Sequence, residues 1–173
     1  MMQSSTPASN AVSRLQQLLD FLDHQAEAKG LAVPQIVYIE KLRQLPVGTF
    51  GRTWADFLEQ NNLKPFTTGP RRKQLHDGIH VIAGYGADLI GEAEVQAFLL
   101  GAKFGLINLM LGLGLLRIIY KKQRQQLSLE RLWQAYQRGY HSQLDPDTWQ
   151  PELIWHLPLA DVQALFGLAN SHN

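Results

Sequence analysis

Apolar residues in this chain recur at the spacing of a helix, and no segment alternates convincingly at the spacing of a strand. Leu15, Leu18, Leu19 and Leu22 fall at i, i+3, i+4 and i+7, one face of an amphipathic helix that ends near Gly30. Ile36, Ile39 and Leu42 predict a shorter helix closed by Pro46. Thr49 to Asn62 gives another, with Phe50, Trp54, Phe57 and Leu58 on one side. Pro65, Gly69 and Pro70 punctuate a loop. Leu75, Ile79 and Ile82 then supply the stripe of a helix over 71–83, broken by Gly84-Tyr85-Gly86. A strongly apolar helix runs from Glu92 to about Tyr120, with glycines that can interrupt it. Leu129, Leu132, Trp133 and Tyr136 predict a helix ending near Gly139. Pro158 suits a helix first turn, ahead of Leu159, Val162, Leu165 and Phe166. The sole strand candidate is the short stretch from Ile36 to Ile39. The pattern predicts an all-α fold.

A chain of 173 residues with 45% hydrophobic residues can bury a sizeable core as one compact domain. No internal repeat or long linker divides it, so 14–173 reads as a single helical domain and 1–13 as a loose arm. That arm has neither the apolar core of a secretory signal nor the arginines of an organelle transit peptide, so a cytoplasmic location is expected. The net charge of +1 gives no global electrostatic case for nucleic acid. Cysteine is absent, so disulfides and thiolate metal sites are excluded and any metal must be held by nitrogen and oxygen.

One such donor set stands out. His76-Asp77-Gly78-Ile79-His80 is followed, after eleven intervening residues, by Glu92. On a helix, His76 and His80 lie about 40° apart on one face, and Asp77 lies roughly 60° from His80. Imidazoles four residues apart can bracket a metal at about 2.0–2.1 Å. The glycine-rich break lets the chain turn and bring Glu92 alongside at the start of a second helix, where the macrodipole also favours a carboxylate. Two blander explanations compete: a His-x3-His pair arises by chance on amphipathic helices, and acidic residues often merely cap helix starts. Two hydrolase readings fit poorly. Asp77 stands where a zinc peptidase has a longer glutamate as general base, and Glu92 follows too closely to be the usual third ligand. A His-Asp phosphohydrolase needs further ligands, and the contexts of His24, Asp145 and Asp161 do not supply them. His24, His141, His156 and His172 lack spaced partners and read as surface or packing residues. Trp54, Trp133 and Trp155 read as core anchors.

The stretch from Arg72 to Tyr85, with Gly91-Glu92 downstream, resembles the coenzyme Q biosynthesis protein 4 family, which carries His-Asp-x-x-His, eleven residues and Glu. This chain matches at His76, Asp77, His80 and Glu92 with the full spacing. Leu45-Pro46 through Gly51 to Asn62-Leu63 resembles the family's entry segment, and Trp155, Pro158 and Leu159 to Leu168 its closing one. The likeness covers roughly residues 35 to 168. It implies an all-helical protein of ubiquinone biosynthesis that binds zinc, or else Mg, Mn or Fe, through those four residues. It implies either metal-dependent oxidative decarboxylation of a prenylated benzoate ring or a non-catalytic scaffold that holds prenylated intermediates and organises other quinone-biosynthesis enzymes. Mitochondrial members sit peripherally on the inner membrane. Without a transit sequence this chain looks like a bacterial relative, expected on the inner face of the plasma membrane. Gly78 departs from the bulkier residue expected there, and either loosens the helix or makes room for ligand.

From Phe104 to Leu116 no side chain is charged. Thirteen helical residues span about 20 Å, short of the ~30 Å hydrocarbon core, so this is no transmembrane span. It is either a central core helix or one that touches lipid through Phe104, Leu106, Ile107, Met110, Leu111 and Leu113. Gly101, Gly105, Gly112 and Gly114 leave space for a lipid tail or a neighbouring helix. Arg117, Lys121, Lys122 and Arg124 follow at once. They suit either an anionic membrane surface or a solvated, dipole-compensating helix end. Arg71, Arg72 and Lys73, one turn before His76, are candidates for a head group or else a solvated face. The partners expected are thus a polyprenylated lipid or quinone precursor, a membrane surface, other enzymes of the pathway and a second copy of the chain.

Overall fold

The computed structural model describes residues 30, 32–106, 109–110, 112–114, 116–117 and 128–169. The arm over 1–13, the helix expected around Leu15 to Leu22, and Ile107, Leu111, Lys121, Lys122, Arg124, His24 and His172 lie outside them. Among the described residues the protein is helical, with no β ladder: only isolated bridges join Ala32 to Pro70 and Thr49 to Pro158. The helices are α1 (Ile39–Arg43), α2 (Phe50–Gln60), α3 (Arg71–Gln74), α4 (His76–Ala83), α5 (Leu89–Ala102), α6 (Leu129–His141) and α7 (Leu159–Leu165). The described residues within 106–117 are also helical.

The apolar stripe of α2 builds the core. Thr49 caps the helix, its hydroxyl accepting from the Arg52 N–H. Phe50, Trp54 and Leu58 then point inward and are fully or almost fully buried. They meet Val37, Leu42, Leu75, Ile79, Ile82, Val95, Phe98 and Val162. Each fully buried side chain of this size contributes about 1.5–3 kcal/mol of transfer free energy. Ile36 to Ile39, the strand candidate, pairs with no strand: Ile39 opens α1, and the Ile36 N–H donates to Gln74 Oε1 at 2.9 Å.

That same glutamine corrects the single helix expected over 71–83. Gln74 is buried, and its amide also donates to the carbonyls of Val33 (3.1 Å) and Gly69 (3.3 Å). The helix breaks at Leu75 (φ −97°, ψ 0°), where the Gly78 N–H reaches back three residues to the Leu75 carbonyl. Long-range bonds to one side chain have overridden a continuous helical pattern. The break separates the basic triplet from the histidines. Arg71 pairs with Glu152 and donates to the Trp149 carbonyl, Arg72 pairs with Asp147, and Lys73 lies over the Phe66 ring.

Gly84, in the left-handed region at φ +74°, ends α4 and turns the chain. Asp88 then caps α5, its carboxylate accepting from the Ile90 and Gly91 N–H groups at 2.8 and 2.9 Å. α5 begins at Leu89 rather than Glu92 and stops at Ala102, so the long apolar helix is interrupted at Lys103. α5 and α6 cross backbone to backbone. A Cβ on Gly101 would stand 2.1 Å from the Tyr136 carbonyl oxygen, and one on Gly139 would stand 2.0 Å from that of Phe98. Gly101 thus serves the approach of a helix rather than of a lipid tail. Arg131 paired with Glu94, and Arg138 donating to the Ala83 carbonyl and the Tyr85 hydroxyl, add polar ties around that crossing.

One tryptophan departs from the core role expected of it. Trp133 is 59% exposed and stacks on Tyr136, whereas Trp155, half-buried, packs against the core. The residues after Lys103 depart from a central core helix as well. Phe104, Leu106, Met110 and Leu113 are all more than half exposed. No helix among the described residues is long and apolar enough to cross a membrane.

Candidate metal centre

α4 and α5 carry the donors, and the Gly84 turn makes them neighbours. His76 and His80 stand one turn apart on α4, and Glu92 stands in the first turn of α5. His76 Nε2, His80 Nε2 and Glu92 Oε2 form a small triangle. Its sides are 3.2 Å between the nitrogens, 3.2 Å from His76 to Glu92 and 3.0 Å from His80 to Glu92. A tetrahedral ion with bonds of about 2.0–2.1 Å needs its donors about 3.3 Å apart. The triangle is within a few tenths of an ångström of that.

The tautomer of His80 is fixed by its other nitrogen. Nδ1 lies 2.9 Å from the Gly86 carbonyl oxygen, which can only accept, so Nδ1 carries a hydrogen. In the neutral ring Nε2 is then a bare lone pair aimed at the triangle, the usual arrangement of a metal-binding histidine. Phe57 stacks on the ring at 5.6 Å between centroids. Glu92 is held at its other oxygen, where the Gln96 amide donates to Oε1 at 2.8 Å.

Burial lowers the proton affinity of the His76 imidazole, but the charge and hydrogen bond of Glu92 outweigh it and leave the pKa raised. Burial would raise Glu92, yet the two imidazoles hold its carboxyl far below the usual carboxylate range. Asp77 behaves oppositely. Burial pushes its carboxyl up more than His76 and His80 pull it down. It is 6% exposed and makes no hydrogen bond among the described residues. A buried carboxylate without donors, beside two imidazoles and a second carboxylate, is an environment that a divalent cation neutralises.

Three of the four expected ligands therefore converge within 4.8 Å of one another: His76, His80 and Glu92. Asp77 is adjacent and electrostatically coupled to all three but stands outside that triangle. Gly78 makes room for protein, not ligand, because a Cβ there would lie 2.7 Å from the Trp54 ring. A cavity of about 420 Å³ opens beside the Gly86 turn, lined by Gly86, Asp88, Ile90, Gly91, Glu94 and Arg131. Its walls mix polar and apolar groups and do not include the three donors. Sequence reasoning missed Gln96 and the Gly86 carbonyl. The first had a legible signal, since it stands four residues beyond Glu92 on one helix.

A family profile described as coenzyme Q (ubiquinone) biosynthesis protein Coq4 matches residues 27–169. The chain belongs to the Coq4 family. Among relatives, the mitochondrial ubiquinone biosynthesis protein COQ4 homolog of Xenopus tropicalis is 32% identical over 94 residues, 40% of this chain and 34% of that protein. The human homolog is 31% identical over 93 residues, 40% of this chain and 35% of its own length. The Saccharomyces cerevisiae protein is 30% identical over 116 residues, 59% of this chain and 33% of its own length. This Coq4 family member thus spans about a third of the length of those relatives. A crystal structure from Nostoc punctiforme, provisionally described as a ubiquinone biosynthesis protein, shares the fold. Its TM-score is 0.67 at 22% identity, over 95% of this chain and 82% of that one.

Proposed function

We propose that this Coq4 family member is a divalent-metal protein that binds a polyprenylated aromatic precursor of ubiquinone and supports replacement of its ring carboxylate by hydroxyl, with carbon dioxide leaving and dioxygen as the oxidant. The observation that carries the reading is the 3.0–3.2 Å triangle of His76, His80 and Glu92 beside the buried Asp77 carboxylate. Two imidazoles and a carboxylate suit zinc, and a second carboxylate close by admits Mg, Mn or Fe. Glu92 and Asp77 together carry the two negative charges that balance a divalent ion. Such an ion, when bound, supplies Lewis acidity toward a benzoate carboxylate or a phenolate. The chain's own part is to present the Nε2 lone pairs and one carboxylate oxygen at fixed positions, with His80 held by Gly86 and stacked against Phe57.

The exposed apolar residues support a lipid partner. Leu106, Met110 and Leu113 fall at i, i+4 and i+7, Phe104 precedes them, and all four are open to solvent. The exposed Arg117 ends that stretch. This surface suits a prenyl chain or an anionic membrane face, and peripheral attachment follows from it. Arg71 and Arg72 fit a head-group role less well, since each already pairs with a carboxylate.

Two other readings compete. In one the ion only locks α4 to α5, and the protein is a scaffold for lipid-linked intermediates. In the other the same triangle serves a metal-dependent hydrolase. Elemental analysis of purified protein, with mass spectrometry of co-extracted lipid, separates the lipid readings from the hydrolase. One divalent ion per chain and a bound prenyl compound are expected; cleavage of peptide or phosphoester substrates with no lipid overturns the proposal. Glu92→Ala separates enzyme from scaffold. Full product formation by a folded, metal-poor variant excludes the enzymatic reading.

A further inference from the structure

We infer that Gln96 is a positioning residue of the metal centre, whose amide restricts Glu92 to offering a single oxygen. The inference rests on the metal reading above. Glu92 and Gln96 are one turn apart on α5, and Gln96 is only 3% exposed. The Glu92 carboxylate is divided between two tasks. Oε2 faces His76 Nε2 at 3.2 Å and His80 Nε2 at 3.0 Å, while Oε1 accepts from Gln96 Nε2 at 2.8 Å.

The direction of the amide is set by Glu92 and not by its other surroundings. Turned over, Gln96 would place its oxygen 2.8 Å from a carboxylate oxygen, two acceptors face to face. In the orientation present, Gln96 Oε1 is buried and has no hydrogen-bond partner among the described residues. Buried side-chain acceptors are nearly always satisfied, so an orphan here marks an amide committed to its donor side. The apolar segment closes over the same place: a Cβ on Gly112 would stand 3.7 Å from the Gln96 Cβ. A carboxylate without this partner is free to turn both oxygens toward the ion and occupy a position that an incoming ligand needs. Gln96 keeps that position available.

Cobalt(II) added to the metal-free full chain tests the inference. Its visible bands weaken as its coordination number rises. Gln96→Leu and Gln96→Met keep the volume and remove the donor; both are expected to bind one cobalt per chain with visibly weaker bands than the wild type. Spectra superimposable on the wild type overturn the inference and leave the metal reading intact. A wild-type protein that takes up no cobalt ends both. A second measurement leaves Gln96 in place and so does not depend on how the Gln96 variants fold. In the Asp77→Asn protein saturated with cobalt, Glu92 is the carboxylate that reports in the infrared difference spectrum. A wide separation of its antisymmetric and symmetric stretches, the mark of one-oxygen binding, is expected, and a narrow one overturns the proposal.

Discussion

The six-membered ring of Trp54 fills the space that a side chain at Gly78 would need, with ring carbons 2.7 Å from where its Cβ would stand. Gly78 lies between the two histidines of α4, so the tryptophan sets how closely α2 and the ligand helix approach. Gly78→Ala gains about 1 kcal/mol of helix propensity. It loses more to overpacking, typically about 1–3 kcal/mol where a buried ring cannot give way. A lower midpoint in chemical denaturation, together with weaker zinc retention, is the expected result. A variant as stable as the wild type would show that the ring shifts freely.

Gly91 offers a way to disturb His80 without touching a ligand. A Cβ at position 91 would stand 2.0 Å from the Gly86 carbonyl oxygen, the acceptor that fixes the His80 tautomer. That obstacle is backbone and cannot rotate aside. Gly91→Ala is expected to weaken divalent-metal affinity by about 10–100-fold, the usual effect of losing a partner behind a ligand. Isothermal titration with zinc measures it.

Asp77 and Glu92 respond to pH in opposite senses. Asp77 is raised, so in the metal-free protein its contribution to stability is full below its ordinary value of 3.8 and is lost as pH rises through the raised one. Glu92 is lowered, so its contribution is present above its ordinary value of 4.5 and is lost as pH falls toward its depressed one. Asp77→Asn removes the burden of a buried charge. After chelator treatment it is expected to melt higher than the wild type at pH 7, with the gap closing in acid. The same variant should hold zinc less tightly, because one of two balancing charges is gone. A chelated variant that melts lower at pH 7 would mean the imidazoles, not burial, dominate Asp77.

Exposed apolar residues on the segment after Lys103 predict a split between stability and lipid binding. Replacing Leu106, Met110 and Leu113 together by Gln removes little buried surface, so the unfolding free energy should change by less than about 1 kcal/mol. Flotation with anionic vesicles and recovery of co-purified lipid should both fall sharply. Undiminished lipid recovery would assign the apolar surface to another partner.

Periodicity located α2, α6 and α7, although only α2 packs its whole stripe against the core while Leu129, Trp133 and Leu165 stay exposed on the other two, and the Gly84 turn was legible as a glycine pair. The donors were legible too, since their spacing is a property of α4 and of the turn after it. What stayed hidden depends on contacts distant in sequence. The break at Leu75 follows from Gln74 reaching Val33 and Ile36, some forty residues away. Trp133 fits its helical stripe, yet a stripe does not reveal whether any element covers it. Gly78 looked like space for a ligand because nothing in the local pattern points to the Trp54 ring.

The α5–α6 crossing sets a limit on drift. With Gly101 against Tyr136 and Gly139 against Phe98, neither helix can slide along the other by even one residue without a collision of main chains. Glu92 rides on the far end of that same rod. The acidic ligand is thereby registered by a lock about two turns away, and any substitution that loosens the lock should blur the coordination sphere before it melts the protein.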